Sequence, residues 1–267
     1  MKKVSVIIPS YKPQSYLWEC LKSLKAQTLP TDEFEIVLVL NGCGEPYKQQ
    51  IQQWITEHDC LNVVFVHVAE GGVSNARNVG IDTCQGEYIT FVDDDDYLSP
   101  SCLEEMLSLA DVNTVPVCYP YAFNDGSDVQ IPYRITNAFD SLENSGRTNV
   151  LIARRFFSGP CMKLLHRNMI GDRRFDKSFR IGEDSLFMFQ ISDKIDHVVF
   201  TSRNAIYYRR YRDSSATTSA KDRKEMLLIN IKSLASYTRM YFHGHYDTKF
   251  YIVRILTELL CFIRNLK

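Results

Sequence analysis

The sequence predicts an α/β protein with a mostly parallel, Rossmann-like central sheet flanked by helices, followed by C-terminal helices. Three observations carry that reading. Short, almost wholly apolar and β-branched runs alternate with stretches of helical period through the first hundred residues, as strands buried on both faces require. The fourth such run, Tyr88-Ile89-Thr90-Phe91-Val92, switches abruptly into Asp93-Asp94-Asp95-Asp96. At 267 residues, the chain is long enough to bury a large core.

The elements follow in order. Val4-Ser5-Val6-Ile7-Ile8 is a strand stopped by Pro9-Ser10-Tyr11, and a helix over 15–27 sets Tyr16, Leu17, Cys20, Leu21 and Leu24 on one face. A second strand spans 34–40 and ends at Asn41-Gly42-Cys43-Gly44, with a weaker helix over 47–58. A third strand covers 61–68, a helix behind Gly71-Gly72 covers 74–83, and the fourth strand covers 87–92. Beyond the acids, Tyr97-Leu98-Ser99-Pro100 reads as a helix start with Ser99 as N-cap, the helix running over 101–110. A strand over 114–119 precedes polar loops at Asn124-Asp125-Gly126 and Asn144-Ser145-Gly146. Residues 159–167 suggest a strand or a helix, 181–191 a helix and 197–201 a strand. The stretch 221–267 is helical with a break near His243-Gly244-His245. The expected organisation is a domain over 1–219, with a nucleotide-binding half at 1–98 and a second half at 99–219, and a helical extension over 220–267.

Composition narrows the partners. With 45% apolar and 24% charged residues and a net charge of −1, the chain has the balance of an ordinary globular protein and no nucleic-acid-coating character. Its eight cysteines form no C-x-x-C pair and face no histidine at zinc-finger spacing, so they read as reduced, buried thiols of a cytoplasmic protein. The first apolar run is too short for a signal peptide, and no segment approaches the ~20 apolar residues of a membrane span. In the last helices Leu227, Leu228, Ile231 and Leu234, then Tyr251, Ile252, Ile255, Leu256, Leu259 and Leu260, are interleaved with Lys232, Arg239, Lys249, Arg254 and Arg264. Such stripes fit packing on the domain, a homo-oligomer, or peripheral contact with the inner face of a membrane. His243 and His245 lack acids or cysteines at ligand spacing and read as loop residues.

Four acids cannot all be buried. Carboxylates at the C-terminal end of a parallel strand, where α/β sheets place their ligands, are hard oxygen donors for Mg²⁺ or Mn²⁺; the bland alternative is a solvated acidic turn.

Four segments, in order, extend this reading: Val4-Ser5-Val6-Ile7-Ile8-Pro9-Ser10-Tyr11, Gly72-Val73-Ser74-Asn75-Ala76-Arg77-Asn78-Val79-Gly80, the stretch from Gly86-Glu87 through Asp96, and Gly182-Glu183-Asp184-Ser185-Leu186-Phe187. Together they resemble the inverting family-two glycosyltransferases of GT-A fold, over about 4–219. The resemblance implies transfer of a sugar from a nucleotide-diphospho-sugar, with uridine as the expected base, to a glycan or lipid-linked acceptor in polysaccharide biosynthesis.

It also assigns residues. Asp93 and Asp95 are the outer acids of a D-x-D element, with Asp95, and Asp93 beside it, on the metal, and Asp93 or Asp94 toward the donor; the plain structural reading of Asp96 is a cap for the next helix. Pro9, Ser10 and Tyr11 line the base and ribose, with Tyr11 either stacking on the base or lying in the core below the first helix. The family usually carries adjacent acids where this chain has Leu40-Asn41. Asn41 still offers hydrogen bonds to a pyrimidine edge, or simply makes a turn. Arg77 is placed near the donor phosphates or base, the alternative being an ion pair with an Asp carboxylate. Asn75 and Asn78 are helix-surface or loop-anchoring amides. Asp184 is the general base, ahead of Glu183; acids at a helix N-terminus are the plainer reading of both. Lys163 either neutralises a phosphate or is solvated. Arg209 and Arg212, within Tyr207-Tyr208-Arg209-Arg210-Tyr211-Arg212 and leading into Asp213-Ser214-Ser215, belong either to a cationic closing loop or to a basic surface strand.

Two rivals remain. A haloacid-dehalogenase-type phosphatase also sets D-x-D after a strand, but after its first, not its fourth. A non-catalytic sugar- or Ca²⁺-binding module would leave Asp184 and Arg77 without a purpose.

Overall fold

A computed structural model of the chain describes residues 3–59, 62–212 and 223–266. The elements run β1 (Val4–Ser10), α1 (Ser15–Lys25), β2 (Phe34–Asn41), α2 (Tyr47–Glu57), β3 (Val63–Val68), α3 (Val73–Thr83), β4 (Tyr88–Phe91), β5 (Tyr97–Leu98) and α4 (Cys102–Leu109). They continue with β6 (Thr114–Val117), β7 (Tyr119–Asn124), α5 (Arg134–Leu142), β8 (Leu165–His166), α6 (Arg167–Ile170), α7 (Glu183–Ile191), β9 (His197–Phe200), β10 (Ile206–Tyr211), α8 (Arg223–His243) and α9 (Thr248–Leu266).

The main sheet has the order β3-β2-β1-β4-β8. Its first four strands are parallel, and β8 closes the edge antiparallel to β4. This is the mixed α/β, mostly parallel sheet the sequence predicts. Every residue of β1 and β2 is buried, which is why these strands read as continuous apolar runs. α1 buries Leu17, Cys20, Leu21 and Leu24 in the core, while Tyr16 turns to the surface and donates its hydroxyl to Asp125 at 2.5 Å. α3 sits unusually close to the sheet because Gly80 carries no side chain: a Cβ there would stand 2.3 Å from Ile7 Cγ2. Chain order reverses at β1, between β2 and β4, so the loops leaving the parallel strands open a crevice at one edge.

Two smaller sheets complete the fold, β5-β10-β7 and β6-β9. They account for several departures from the sequence-based reading. The single strand expected over 114–119 is two strands in different sheets, broken at Cys118. Ser99 caps no helix: its backbone pairs with Ile206, and its buried hydroxyl donates to the Asn204 carbonyl at 2.6 Å, so α4 begins later, after Ser101. Of 159–167 only Leu165 and His166 are strand. The segment carrying Arg209 and Arg212 is no loop as far as Tyr211; it is the central strand β10, held by β5 and β7. Asp213-Ser214-Ser215 lie outside the described residues, as do Leu61 of the expected third strand and the expected boundary at 219/220.

α8 and α9 form a hairpin, with the break where His243-Gly244-His245 predicts it. The hairpin docks on α7: the Phe189 ring lies 5.1, 4.7 and 5.6 Å from those of Tyr237, Tyr246 and Phe250. Tyr237 and Phe250 are buried there, whereas Leu228, Ile231, Leu256 and Leu260 stay exposed. Among the described residues no helix is long and apolar enough to cross a membrane.

Candidate active site

At the C-terminal edge of the parallel strands lies a cavity of about 810 Å³. Its walls bring together Pro9 from β1, Asn41 from β2, Arg77 from α3, Asp93, Asp94, Asp95 and Asp96 beyond β4, Asp184 from α7, and Arg209 and Arg212 at the end of β10. Tyr11 also lines it and is 56% exposed, so it is not a core tyrosine. Ser10 is buried just behind the wall.

The four aspartates have four different hosts. Asp93 accepts from Arg77 Nη2 at 3.0 Å, Asp94 from Ser10 Oγ at 2.6 Å, and Asp95 pairs with Arg212 at 2.5 Å. Asp96 accepts from the Tyr207 hydroxyl at 2.7 Å and the Arg210 amide at 2.8 Å. A strand, not a helix, follows Asp96, so it caps nothing; it ties the run to β10. Burial drives Asp94 up to about 7 against the pull of Ser10, and burial with the neighbouring acids raises Asp95 and, far more, Asp96. The run therefore concentrates carboxyls in a setting that resists their full ionisation.

Arg77 joins the two ends of the site. Its side chain is 4% exposed, and its fork gives Nη1 to Asp184 at 2.6 Å and Nη2 to Asp93 at 3.0 Å. The ion pair with an Asp carboxylate, the alternative reading of Arg77, is thus the arrangement found. Asn78 anchors the neighbouring loop by exchanging hydrogen bonds with the Phe175 backbone, 2.9 and 2.8 Å, and Asn75 donates to the Glu70 carbonyl.

Asp184 lies in the first turn of α7, behind Gly182, whose φ of +86° suits glycine. Its side chain keeps 31% of its surface, but that surface faces the recess. Burial raises its pKa, and Arg77 opposes the rise. Glu183 is raised to about 7, first by burial and then by Asp184. A group with a raised folded pKa binds more protons folded than unfolded, so the folded state loses stability as pH climbs from the unfolded value of 4.5 to about 7. Glu183→Gln lacks this loss. Its Tm relative to the parent is expected to be lowest at about pH 4.5 and below and to rise to a plateau above about pH 7, measured by thermal melts across that range; a difference independent of pH would refute the raised pKa.

Asn41 is more committed than expected. Its amide donates to the Ser10 carbonyl at 2.7 Å and its oxygen accepts from Gly72 N at 2.9 Å, stitching together three of the loops that form the cavity. Lys163 is neither solvated nor in the cavity wall. It is 1% exposed, its Nζ donates to the carbonyls of Gly159 and Cys161 at 2.6 Å each, and burial lowers its pKa to about 8. The residues that sequence reasoning missed are Tyr207 and Arg210, which hold Asp96, and Arg180 in the cavity wall. Sequence carried no local signal for these contacts: Arg209 and Arg210 are adjacent in the strand and both line the cavity.

The Nε atoms of Arg77, Arg209 and Arg212 are buried without a partner among the described residues. Unsatisfied guanidinium donors around one cavity suit a ligand rich in anionic oxygens. Among the described residues no three His, Cys, Asp or Glu side chains are arranged to hold a metal unaided. A cation here would complete its shell with water and ligand oxygens, as Mg²⁺ commonly does with phosphates.

Comparison with known proteins agrees with this geometry. The family described as glycosyl transferase family 2 matches residues 5–174. The poly(ribitol-phosphate) β-N-acetylglucosaminyltransferase TarS of Staphylococcus aureus is 28% identical over 235 residues, 86% of this chain and 40% of that protein. The minor teichoic acid biosynthesis protein GgaB of Bacillus subtilis is 29% identical over 230 residues, 82% of this chain and 24% of that protein. The chain thus spans well under half the length of these two relatives. Among solved structures, S. aureus TarS 1-349 in complex with UDP-GlcNAc superposes with a TM-score of 0.70 at 23% identity, covering 99% of this chain and 71% of that one. The mannosyltransferase PcManGT from Pyrobaculum calidifontis, in complex with GDP-Man and Mn²⁺, gives 0.64 at 16% identity, covering 99% and 73%. At such identities the superpositions show a shared GT-A fold.

Proposed function

The chain belongs to glycosyl transferase family 2, and from that premise we propose that it moves a sugar from a UDP-sugar to a glycan or lipid-linked acceptor of a surface polysaccharide, with inversion, metal assistance and Asp184 as general base. One observation carries the reading: a single cavity holds the Asp93–Asp96 run and Asp184 on opposite hands of Arg77. A phosphatase has no use for the distant acid, and a binding module has no use for a recessed carboxyl paired with a buried arginine. The relatives' names, an N-acetylglucosaminyltransferase and a teichoic acid biosynthesis protein, support the substrate class.

In this reading residues 1–98 bind the donor and 99–219 form the acceptor side. Tyr11 stacks on the uracil at the cavity mouth, beside Pro9 and the Ser10–Asp94 pair. Arg77, Arg209 and Arg212 turn their unpartnered donors to the diphosphate. The oxygen-only donor set fits Mn²⁺ or Mg²⁺, hard cations that take carboxylate oxygens; Asp95, with Asp93, would hold it. When bound, the metal neutralises charge gathering on the departing diphosphate. Asp184 takes the proton of the acceptor hydroxyl as its oxygen bonds to the anomeric carbon. The bond from that carbon to the diphosphate breaks on the other face, and one displacement inverts the centre.

The direct test offers the purified chain with Mn²⁺ a panel of UDP- and GDP-sugars. Binding and slow hydrolysis of a UDP-sugar are expected, and the absence of both across the panel would overturn the proposal. Asp95→Ala is expected to weaken Mn²⁺-dependent UDP binding at least about tenfold, roughly the 1.4 kcal/mol of one lost charge-assisted contact. Binding in EDTA should change far less. Equal Mn²⁺ dependence in both proteins would remove Asp95 from the metal.

A further inference from the structure

A second recess, of about 490 Å³, lies against the β5-β10-β7 sheet and shares no lining residue with the donor cavity. Along β10, Tyr207 reaches Asp96 and Arg209 lines the donor cavity, while Tyr208 belongs to the second recess. Tyr208 is the middle of a row of three tyrosines, one from each strand of the sheet. It pairs in register with Tyr97 on β5 and Tyr121 on β7, with ring centroids at 4.5 and 5.3 Å. Phe123 backs Tyr97 at 5.7 Å, and Asp128 stands at the edge, its backbone carbonyl accepting from the Tyr121 hydroxyl at 2.7 Å.

Cross-strand aromatic pairing by itself would explain a row of rings. It does not explain why all three are only half-buried around a recess of ligand size. The chemistry of the lining narrows what fits. No lysine or arginine lines the recess, and its one charged side chain is a carboxylate; Arg210, which packs on the Phe123 and Tyr97 rings at 5.0 and 5.9 Å, is itself paired with Asp125 and Glu19, so phosphates and other anions are disfavoured. Aromatic carbon beside phenolic hydroxyls and a carboxylate is complementary to a neutral sugar, whose axial C–H face packs on rings while its hydroxyls donate to oxygen acceptors.

We propose that this recess is a second carbohydrate site, holding neutral sugar units of a glycan away from the reacting end. The inference rests on the transferase reading for its biological sense. It places the site back to back with the Asp run, since β5 begins at the residue after Asp96.

The test uses the full chain saturated with UDP and Mn²⁺, so that the donor cavity is blocked, and titrates it with maltotetraose, cellotetraose and chitotetraose by saturation-transfer NMR and calorimetry. At least one oligosaccharide is expected to bind, and Tyr208→Ala is expected to weaken it tenfold or more while UDP affinity is unchanged. Should Tyr208→Ala fail to fold, as judged by circular dichroism, Asp128→Ala on the exposed loop is expected to weaken binding severalfold. Binding by none of the three probes, or binding that neither variant alters, overturns the second site. The UDP titration of the parent chain reads the transferase proposal separately: were it to fail, the second site would be read from Tyr208→Ala and Asp128→Ala alone, since neither residue lines the donor cavity.

Discussion

Asp184→Asn is expected to lower kcat by about 10²–10⁴-fold, the usual contribution of a positioned general base, while leaving UDP-sugar affinity intact. The substitution is nearly isosteric, and the asparagine oxygen still accepts from Arg77, so the fork that also holds Asp93 keeps its place. What disappears is the ability to take a proton. Because burial lifts the Asp184 pKa and Arg77 restrains it, the acid limb of kcat/KM in the parent enzyme is expected above the ordinary aspartate range, and to vanish in the variant. Steady-state kinetics against pH, beside calorimetric UDP titrations, check both statements. Turnover retained at the parental rate would move the base elsewhere, with Glu183 the first place to look.

Arg77→Ala is expected to be the most damaging single change. It removes the cation that pairs with both Asp93 and Asp184 and leaves both carboxylates in the recess without it, a loss on the order of 3–5 kcal/mol for breaking a buried pair. Donor binding should fall as well, because a phosphate contact goes with it. Arg77→Lys is expected to recover only part, since a point charge cannot grip two acids on opposite sides as a planar fork does. Urea denaturation reads the stability: a cost within about 1 kcal/mol, the range of exposed ion pairs, would mean that the bridge carries no structural weight.

The donor half was legible because its signals are local. The β1 and β2 runs are apolar at nearly every position since both sheet faces are covered, and the acids must then follow at the strand end. The N-terminal turn of α7 was equally plain from Gly182-Glu183-Asp184 ahead of an apolar run. Where reading failed, long-range pairing had overridden local preference. Ser99 has every feature of an N-cap, yet its backbone is claimed by Ile206. The basic 207–212 segment reads equally as a closing loop or a surface strand, and only its pairing with β5 and β7 decides for a strand as far as Tyr211. Lys163 looks like a surface residue, and only the carbonyls of Gly159 and Cys161 make its burial tolerable.

By itself, then, the sequence determined the α/β class, the parallel strands, the family and the two acidic elements, because period and composition encode which faces are buried. The tertiary structure alone decided the partnerships: that Arg77 bridges Asp93 to Asp184, that Ser10, Arg212 and Tyr207 each host a different aspartate, and that Tyr208 stands behind the site and not in it. Arg77 and Asp184 lie 107 positions apart, and no local pattern records a contact made by the closure of so long a loop.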